Sequence, residues 1–405
     1  MNIKIAWRNI WRNKKRTFIT VSSVVLAVVL AVFTRSFQEG SYSKMIENAV
    51  GRFTGYVQIH QKDYWNDKTL DNGIEINNDL LKSITSVSKI KGVNLRLESF
   101  SLASNKTSTK GTLVMGVEPV KEADMLGLQQ KIIKGENITK DDKSILLGSK
   151  LASYLKITVG DTLVLMGQGH WGQSAVGAFP VKGIVKMPAP NIDKQIVFMS
   201  LRLAQEYFSY DKGVTSIVVR FNDSKLTNNI IKELNNKIDT IQYKAIAWQK
   251  MSPELVQQIQ SDKASGIMMI GILYMIIAFG IFGTILMMTE ERKKEFAVMI
   301  AIGMQKTKLS IISIYEAVFM NLIGVIIGII ISLPLVIYYN LHPIRMSGEI
   351  ALSIEKLGIE PVMPTLVSFN IFLNQTIVII IITGIASVYP LISILKMSVI
   401  KSLRK

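Results

Sequence analysis

Apolar residues gather into four long runs in this chain. Residues 18–34, 267–288, 309–339 and 371–395 carry no charge, except that Glu316 interrupts the third. At 1.5 Å per residue, the 22 residues of the second run make a helix about 33 Å long, enough to cross the hydrocarbon core of a bilayer. The third and fourth are longer and have room to tilt. The first is short, and Ser36 and Phe37 extend it past Arg35. Uncharged runs of this length are rare in soluble folds. The pattern predicts transmembrane helices over 18–36, 267–289, 309–339 and 371–395, with a short loop over 340–370 and a tail over 396–405. Before the first run, Ile3, Trp7, Ile10 and Trp11 recur at helical spacing among basic residues. That predicts an amphipathic helix within 1–17, lying on an anionic leaflet with tryptophans at headgroup depth. Phe33, Thr34 and Arg35 stand where a small-x-small cleavage site would be, so the first run reads as a retained anchor.

Residues 37–263 have a different pattern. Period-2 alternation marks strands at 56–60, 93–101, 112–117, 215–221 and 243–247, and helical spacing marks 78–90 and 226–238. A β-α-β pattern thus lies near each end, which predicts an α+β sheet with helices on one face. The middle, about 119–210, reads as an inserted subdomain. It holds a strand then a helix over 144–154 and a strand pair at 162–166 and 180–186 around a glycine-rich tip, 167–178. Trp171 in that tip is a candidate contact for an external partner. Residues 38–46 and 253–261 are predicted to continue the flanking membrane helices outward as a two-helix stalk.

Charge gives an orientation. The chain is formally +17. Residues before 18, the segment 290–308 and the tail together hold fifteen basic and three acidic residues. The loop 340–370 holds Arg345 and Lys356 against Glu349, Glu355 and Glu360. Positive flanks stay in the cytoplasm. Both termini and 290–306 are therefore expected inside, and 37–263 outside. Most of the excess charge is a topology signal, and no nucleic-acid partner is needed to explain it. Charged residues are 19%, below the ~25% of soluble domains, and the mean hydropathy of +0.31 excludes disorder. Cysteine is absent, which removes disulfides, thiolate metal sites and thiol nucleophiles. His60, His170 and His342 lack ligand spacing, so no metal site is expected.

No phosphate-binding loop is legible. The segments 303–307 and 148–150 lack the glycine before Lys-Ser/Thr. With no Ser/His/Asp set or paired carboxylates either, no catalytic residue is expected on this chain. The most informative stretch is 289–308, TEERKKEFAVMIAIGMQKTK. Acids open it, as suits a helix N-terminus, and Gly303 is a helix stop. Between them lies an apolar cluster, 296–302, in a segment expected on the cytoplasmic side. It reads either as an extension of the membrane helix or as a short helix that docks into a partner.

This junction resembles the coupling segment of FtsX-like ABC permeases. Tyr315, Glu316 and Ala317, followed by 322–328 (LIGVIIG), resemble the third membrane helix of that family. The SVYP of 387–390 and the KSLR of 401–404 resemble its tail, although Ser398 stands where a proline is usual. The layout is similar to the MacB and LolC/LolE branch. The resemblance implies a polytopic α-helical membrane protein with four transmembrane helices and a large extracytoplasmic α+β domain, made of a βαβ porter-like subdomain with an inserted second subdomain. It implies residence in the inner membrane as a mechanotransmission permease: a separate ABC ATPase dimer, which binds ATP and Mg, moves two permease subunits of the same or related sequence. This chain would carry no cofactor. Glu291, Arg292, Glu295, Phe296, Met299, Ile300 and Gly303 would form the ATPase-coupling segment. Arg292 and Glu295 would make polar contacts, and Phe296, Met299 and Ile300 would enter the partner's apolar groove. Gly324 and Gly328 form a small-xxx-small pair for close helix packing. Glu316, an acid within an apolar run, is expected to pair with a basic or backbone donor. The leading function is lipoprotein release to a periplasmic carrier. The alternatives are MacB-like export with a periplasmic adaptor and outer-membrane channel, and FtsX-like control of a cell-wall hydrolase.

Overall fold

The computed structural model describes residues 2–12, 14–106, 108–349, 351 and 361–398. The tail motif from Lys401 to Arg404 and most of the loop acids lie outside them. The chain divides into two compact units. One comprises 1–43, 258–345 and 362–405; the other comprises 44–257 and 346–361.

The first unit is helical. Its elements are α1 (Asn2–Arg12), α2 (Lys14–Ile46), α3 (Pro253–Glu291), α4 (Lys293–Ala301), α5 (Lys306–Leu341), α6 (Phe369–Ala386) and α7 (Val388–Leu395). Four helical stretches among the described residues are long and apolar enough to cross a membrane. Two of them outrun the apolar sequence that predicts them. In α2 the polar turn beyond residue 34 stays helical, helped by the Arg35–Glu39 pair at i,i+4, 2.7 Å apart. In α3 Pro253 sits at the first position, where its fixed φ and missing N–H suit a helix start. Val24, Val28 and Val32 of α2 pack with Ile277, Ile281 and Ile285 of α3, and with Val325 of α5 and Ile379 of α6. Gly324 and Gly328 face α2, where an added Cβ would stand 2.7 Å from Val24 Cβ or Val28 Cβ. A third glycine, Gly40 of α2, lies against the backbone of Pro364, Thr365 and Leu366, and Leu366 N–H donates to Ser36 O at 2.8 Å.

The second unit is built on one ten-stranded sheet system. Its strands are β1 (Val57–Gln61), β2 (Gly92–Asn105), β3 (Ser108–Val117), β4 (Ile132–Gly135), β5 (Ile145–Gly148), β6 (Thr162–Gln168), β7 (Ser174–Val185), β8 (Ile196–Ser200), β9 (Ser216–Arg220) and β10 (Tyr243–Ala247). The order β10-β1-β9-β2 forms an antiparallel sheet. From β2 the sheet continues through β3, β8, β5 and β7. β6 pairs with both β7 and β2, which closes a six-stranded ring. Closure leaves no open edge among those six strands. Leu97, Val114, Leu147, Leu163, Leu165 and Val197 are among the buried core residues of this region.

Three local readings change. The helix expected over 78–90 stops at Thr85; Asn77 caps its start by accepting from Asp79 N–H at 2.9 Å. The helix expected over 226–238 runs only Thr227–Asn235. The expected loop 167–178 is mostly strand, because Met166 pairs with Val176 and Gly167 with Ala175, so the turn shrinks to 169–173.

Several buried polar side chains of this unit are partnered, although Asn94 Oδ1, Ser216 Oγ and Arg220 Nε have no partner among the described residues. Arg96 of β2 and Glu122 of helix Pro119–Leu126 form a fully buried ion pair, and Asn94 donates to Lys121 O at 3.1 Å. His60 is buried, with Nδ1 2.8 Å from Thr215 O and Nε2 2.9 Å from Gln58 Oε1, and its ring stacks on Tyr64.

Candidate functional site: the anchored turn between α3 and α4

α3 ends where Arg292 leaves helical geometry at φ −92°, ψ 1°. α4 then runs nine residues and closes on Gly303 at φ +104°. Gly303 N–H donates to Ile300 O and Met304 N–H to Met299 O, both at 3.0 Å. This paired closure needs a residue with positive φ, which glycine supplies without a Cβ penalty.

The bend at Arg292 is held from α5. Arg292 and Glu316 form an ion pair with both side chains almost fully buried. The Arg292 guanidinium also lies over the Phe296 ring, 4.7 Å from its centroid, and Nε is 3.4 Å from Glu295 Oε2. The second oxygen of Glu316 accepts from Asn9 Nδ2 of α1 at 2.6 Å. Arg12, also on α1, pairs with Glu295 at 2.9 Å in the open. One carboxylate in α5 therefore meets both α1 and the α3–α4 bend.

The apolar side of α4 faces inward. Phe296 and Ala297 are buried with Leu309, Ile394 and Met397, and Met299 and Ile300 pack against that cluster. Phe296 is therefore already covered by α5, α7 and the segment after it, and is not open to a partner's groove as the sequence expectation has it, whereas Met299 and Ile300 stay part-exposed. Arg292 is likewise spent on Glu316. The face that stays open carries Glu291, Lys294, Glu295, Val298 and Ile302, with Val298 45% and Ile302 80% exposed. Val298 and Ile302, spaced i,i+4, escaped the sequence reading because the run FAVMIAI is apolar on every side. The signal that finds them is Arg292: once its head is committed to the interior, Phe296 and Ile300 follow on the same face and Val298 and Ile302 fall opposite. Asn9 and Arg12 were also missed; their helix was legible, but the acids they meet are distant in sequence.

Trp171 lies elsewhere, at the turn between β6 and β7. It is 75% exposed, at φ +54°, and its N–H donates to Asp71 Oδ1 at 2.7 Å. The neighbouring His170 ring stacks on Tyr210 with centroids 4.0 Å apart. The turn is thus tied down while its indole projects.

Residues 17–237 match the MacB-like periplasmic core domain, and residues 267–399 match the FtsX-like permease C-terminal region. The chain is 21% identical over 315 residues to the lipoprotein-releasing system transmembrane protein LolC of Xylella fastidiosa, covering 75% of each. It is 22% identical over 268 residues to the lipoprotein-releasing system transmembrane protein LolE of Haemophilus influenzae, covering 64% of each. It is 22% identical over 340 residues to the macrolide export ATP-binding/permease protein MacB of Aggregatibacter actinomycetemcomitans, covering 79% of this chain and 50% of that one.

Proposed function

Since this chain belongs to the FtsX-like permease family, in its MacB and LolC/LolE branch, we propose that it is the membrane subunit through which a separate ATPase drives lipoprotein release from the outer face of the inner membrane. The observation that carries the coupling step is the α3–α4 bend. It is pinned to α5 by a buried ion pair and leaves Val298 and Ile302 uncovered. A short helix fixed at its root, with an apolar strip outward, transfers a push on the strip to α3 and α5 together. Apolar side chains on a face bounded by Glu291, Lys294 and Glu295 suit a protein partner with an apolar slot and polar rim.

In this reading both termini and α4 are cytoplasmic, as the basic flanks favour. The second unit is extracytoplasmic. Its antiparallel sheet β10-β1-β9-β2 is the porter-like part, and the ring strands between residues 119 and 210 are the insertion. In this reading ATP and Mg belong to the partner, in keeping with the lack of a legible phosphate-binding loop in this sequence. Two permease subunits work with one ATPase dimer and pass the lipoprotein to a periplasmic carrier. The names of the LolC and LolE relatives support this substrate. Export in the manner of the MacB relative is the second reading, favoured by the MacB-like core domain.

The test is gentle affinity purification from native membranes with mass spectrometry of what accompanies the chain. An ATPase, a second related permease and acylated lipoproteins support release. An ATPase with an adaptor or outer-membrane channel supports export. Absence of any ATPase overturns both.

A further inference from the structure

Helix α1 has three sectors. Ala6 and Ile10 are buried, and Asn9 reaches Glu316 of α5. Beside them Ile3, Trp7 and Trp11 form an exposed stripe at i, i+4, i+8, 46% to 55% open. Trp7 meets Phe319 of α5 edge-on at 5.6 Å, so one edge of the stripe is seated on the helix bundle. The third sector is Lys4, Arg8 and Arg12, also at i, i+4, i+8 and exposed. In that sector only Arg12 has an acidic partner among the described residues, Glu295 of α4.

An exposed aromatic stripe flanked by a basic stripe fits a bilayer surface with anionic headgroups: the rings enter the headgroup boundary and the cations meet phosphate. We infer that α1 binds anionic phospholipid through Lys4, Arg8 and Arg12, and that headgroups compete with Glu295 for Arg12, so that the charge of the leaflet sets how firmly α1 holds α4. Magnitudes permit the exchange. An open ion pair holds its partners by at most roughly fivefold, and each basic residue near an anionic surface raises surface binding by about the same factor. Only Arg12 changes partner, so the two arrangements lie within about one such factor of each other and the charge of the leaflet tips the balance. Asn9 keeps α1 on α5 meanwhile, so the helix stays docked while its link to α4 opens. The consequence for coupling rests on the function proposed above; the exchange itself does not.

The chain has no cysteine, so spin labels can be placed at Ile3→Cys and Lys294→Cys alone. The full chain is reconstituted in nanodiscs of phosphatidylcholine, or of phosphatidylcholine with phosphatidylglycerol, and the label distance is measured. The expected result is a shift to longer or broader distances in the anionic discs. The shift is retained in Arg12→Lys, absent in Arg12→Gln and abolished at about 1 M salt, where the screening length falls to ~3 Å. Arg12 is exposed, so its replacement does not threaten folding. Equal distances in both lipids overturn the inference. A lipid-dependent shift that survives Arg12→Gln overturns the role of Arg12. A shift that ignores lipid charge and follows added ATPase assigns α1 to a protein partner and overturns the lipid site. No ATPase is needed for the first three readings, so their failure is separable from failure of the coupling reading.

Discussion

Glu316 and Arg292 sit deep enough that neither has solvent to fall back on. Removing one partner of a buried pair leaves the other charge uncompensated, at about 3–5 kcal/mol. Glu316→Gln should therefore lower the melting temperature of the detergent-purified chain sharply, and Arg292→Met should do the same. The double change Glu316→Leu with Arg292→Met should cost less than either single change, because the pair's desolvation is removed with its attraction. The glycines give a second test at this scale. Gly328→Leu forces a side chain into Val28, so it should destabilise the helix packing, and Val28→Ala should recover part of the loss in the same melting assay. How far such residues were legible differs. An acid in an apolar run announces itself, as does a Gly-xxx-Gly pair. Their partners do not: Arg292 becomes available to Glu316 only because α3 breaks where it does, and hydropathy carries no mark of that break.

At the scale of elements, the two faces of α4 have opposite fates under the same substitution. Phe296→Asp buries a charge among Leu309, Ile394 and Met397 and should unfold the local packing, lowering the melting temperature of the chain itself. Val298→Asp with Ile302→Asp changes only exposed positions. It should leave melting within about 0.5 kcal/mol of wild type while ATPase co-purification is lost. If the ATPase stays bound in the double variant, α4 is not the coupling element. Glu290 and Glu291 close α3 and do not open α4, but the C-terminal end of α4 was readable from Gly303, because caps obey local rules. Its facing was not, since an apolar residue on every side leaves the choice to packing. The long helices were readable wherever lipid-length runs exist. Their polar continuations were suggested by 38–46 and 253–261 but not fixed by periodicity.

At the scale of the whole molecule, the strands of the second unit follow from period-2 alternation, yet alternation says nothing of partners. The ring depends on β6 pairing with two strands, one of them some sixty residues earlier in sequence, and no local signal specifies that. Stability of this unit also depends on pH. Burial pushes the His60 imidazole down to about 4 from its ordinary 6.5, against the opposing Thr215 carbonyl. Between those values the unfolded chain holds the extra proton and the folded chain does not. Stability is thus complete above pH 6.5 and declines as pH falls towards 4, by about 3 kcal/mol. Protease resistance of the full chain from pH 7 to 4 should show this decline, and His60→Gln should flatten it. An unchanged acid limb in that variant would place the sensitive group elsewhere.

β1 and β10 are direct neighbours, with Val57 opposite Ala247 and Trp248 N–H donating to Tyr56 O at 3.0 Å. The excursion from 57 to 247 therefore departs and returns at one point, its two ends about 5 Å apart. A segment with that property is a cassette. It can be lifted out and closed by a tight turn, or replaced with a different insert, without asking the flanking helices to move apart. A lineage that retained the helices could thus trade one extramembrane head for another by a single in-frame exchange.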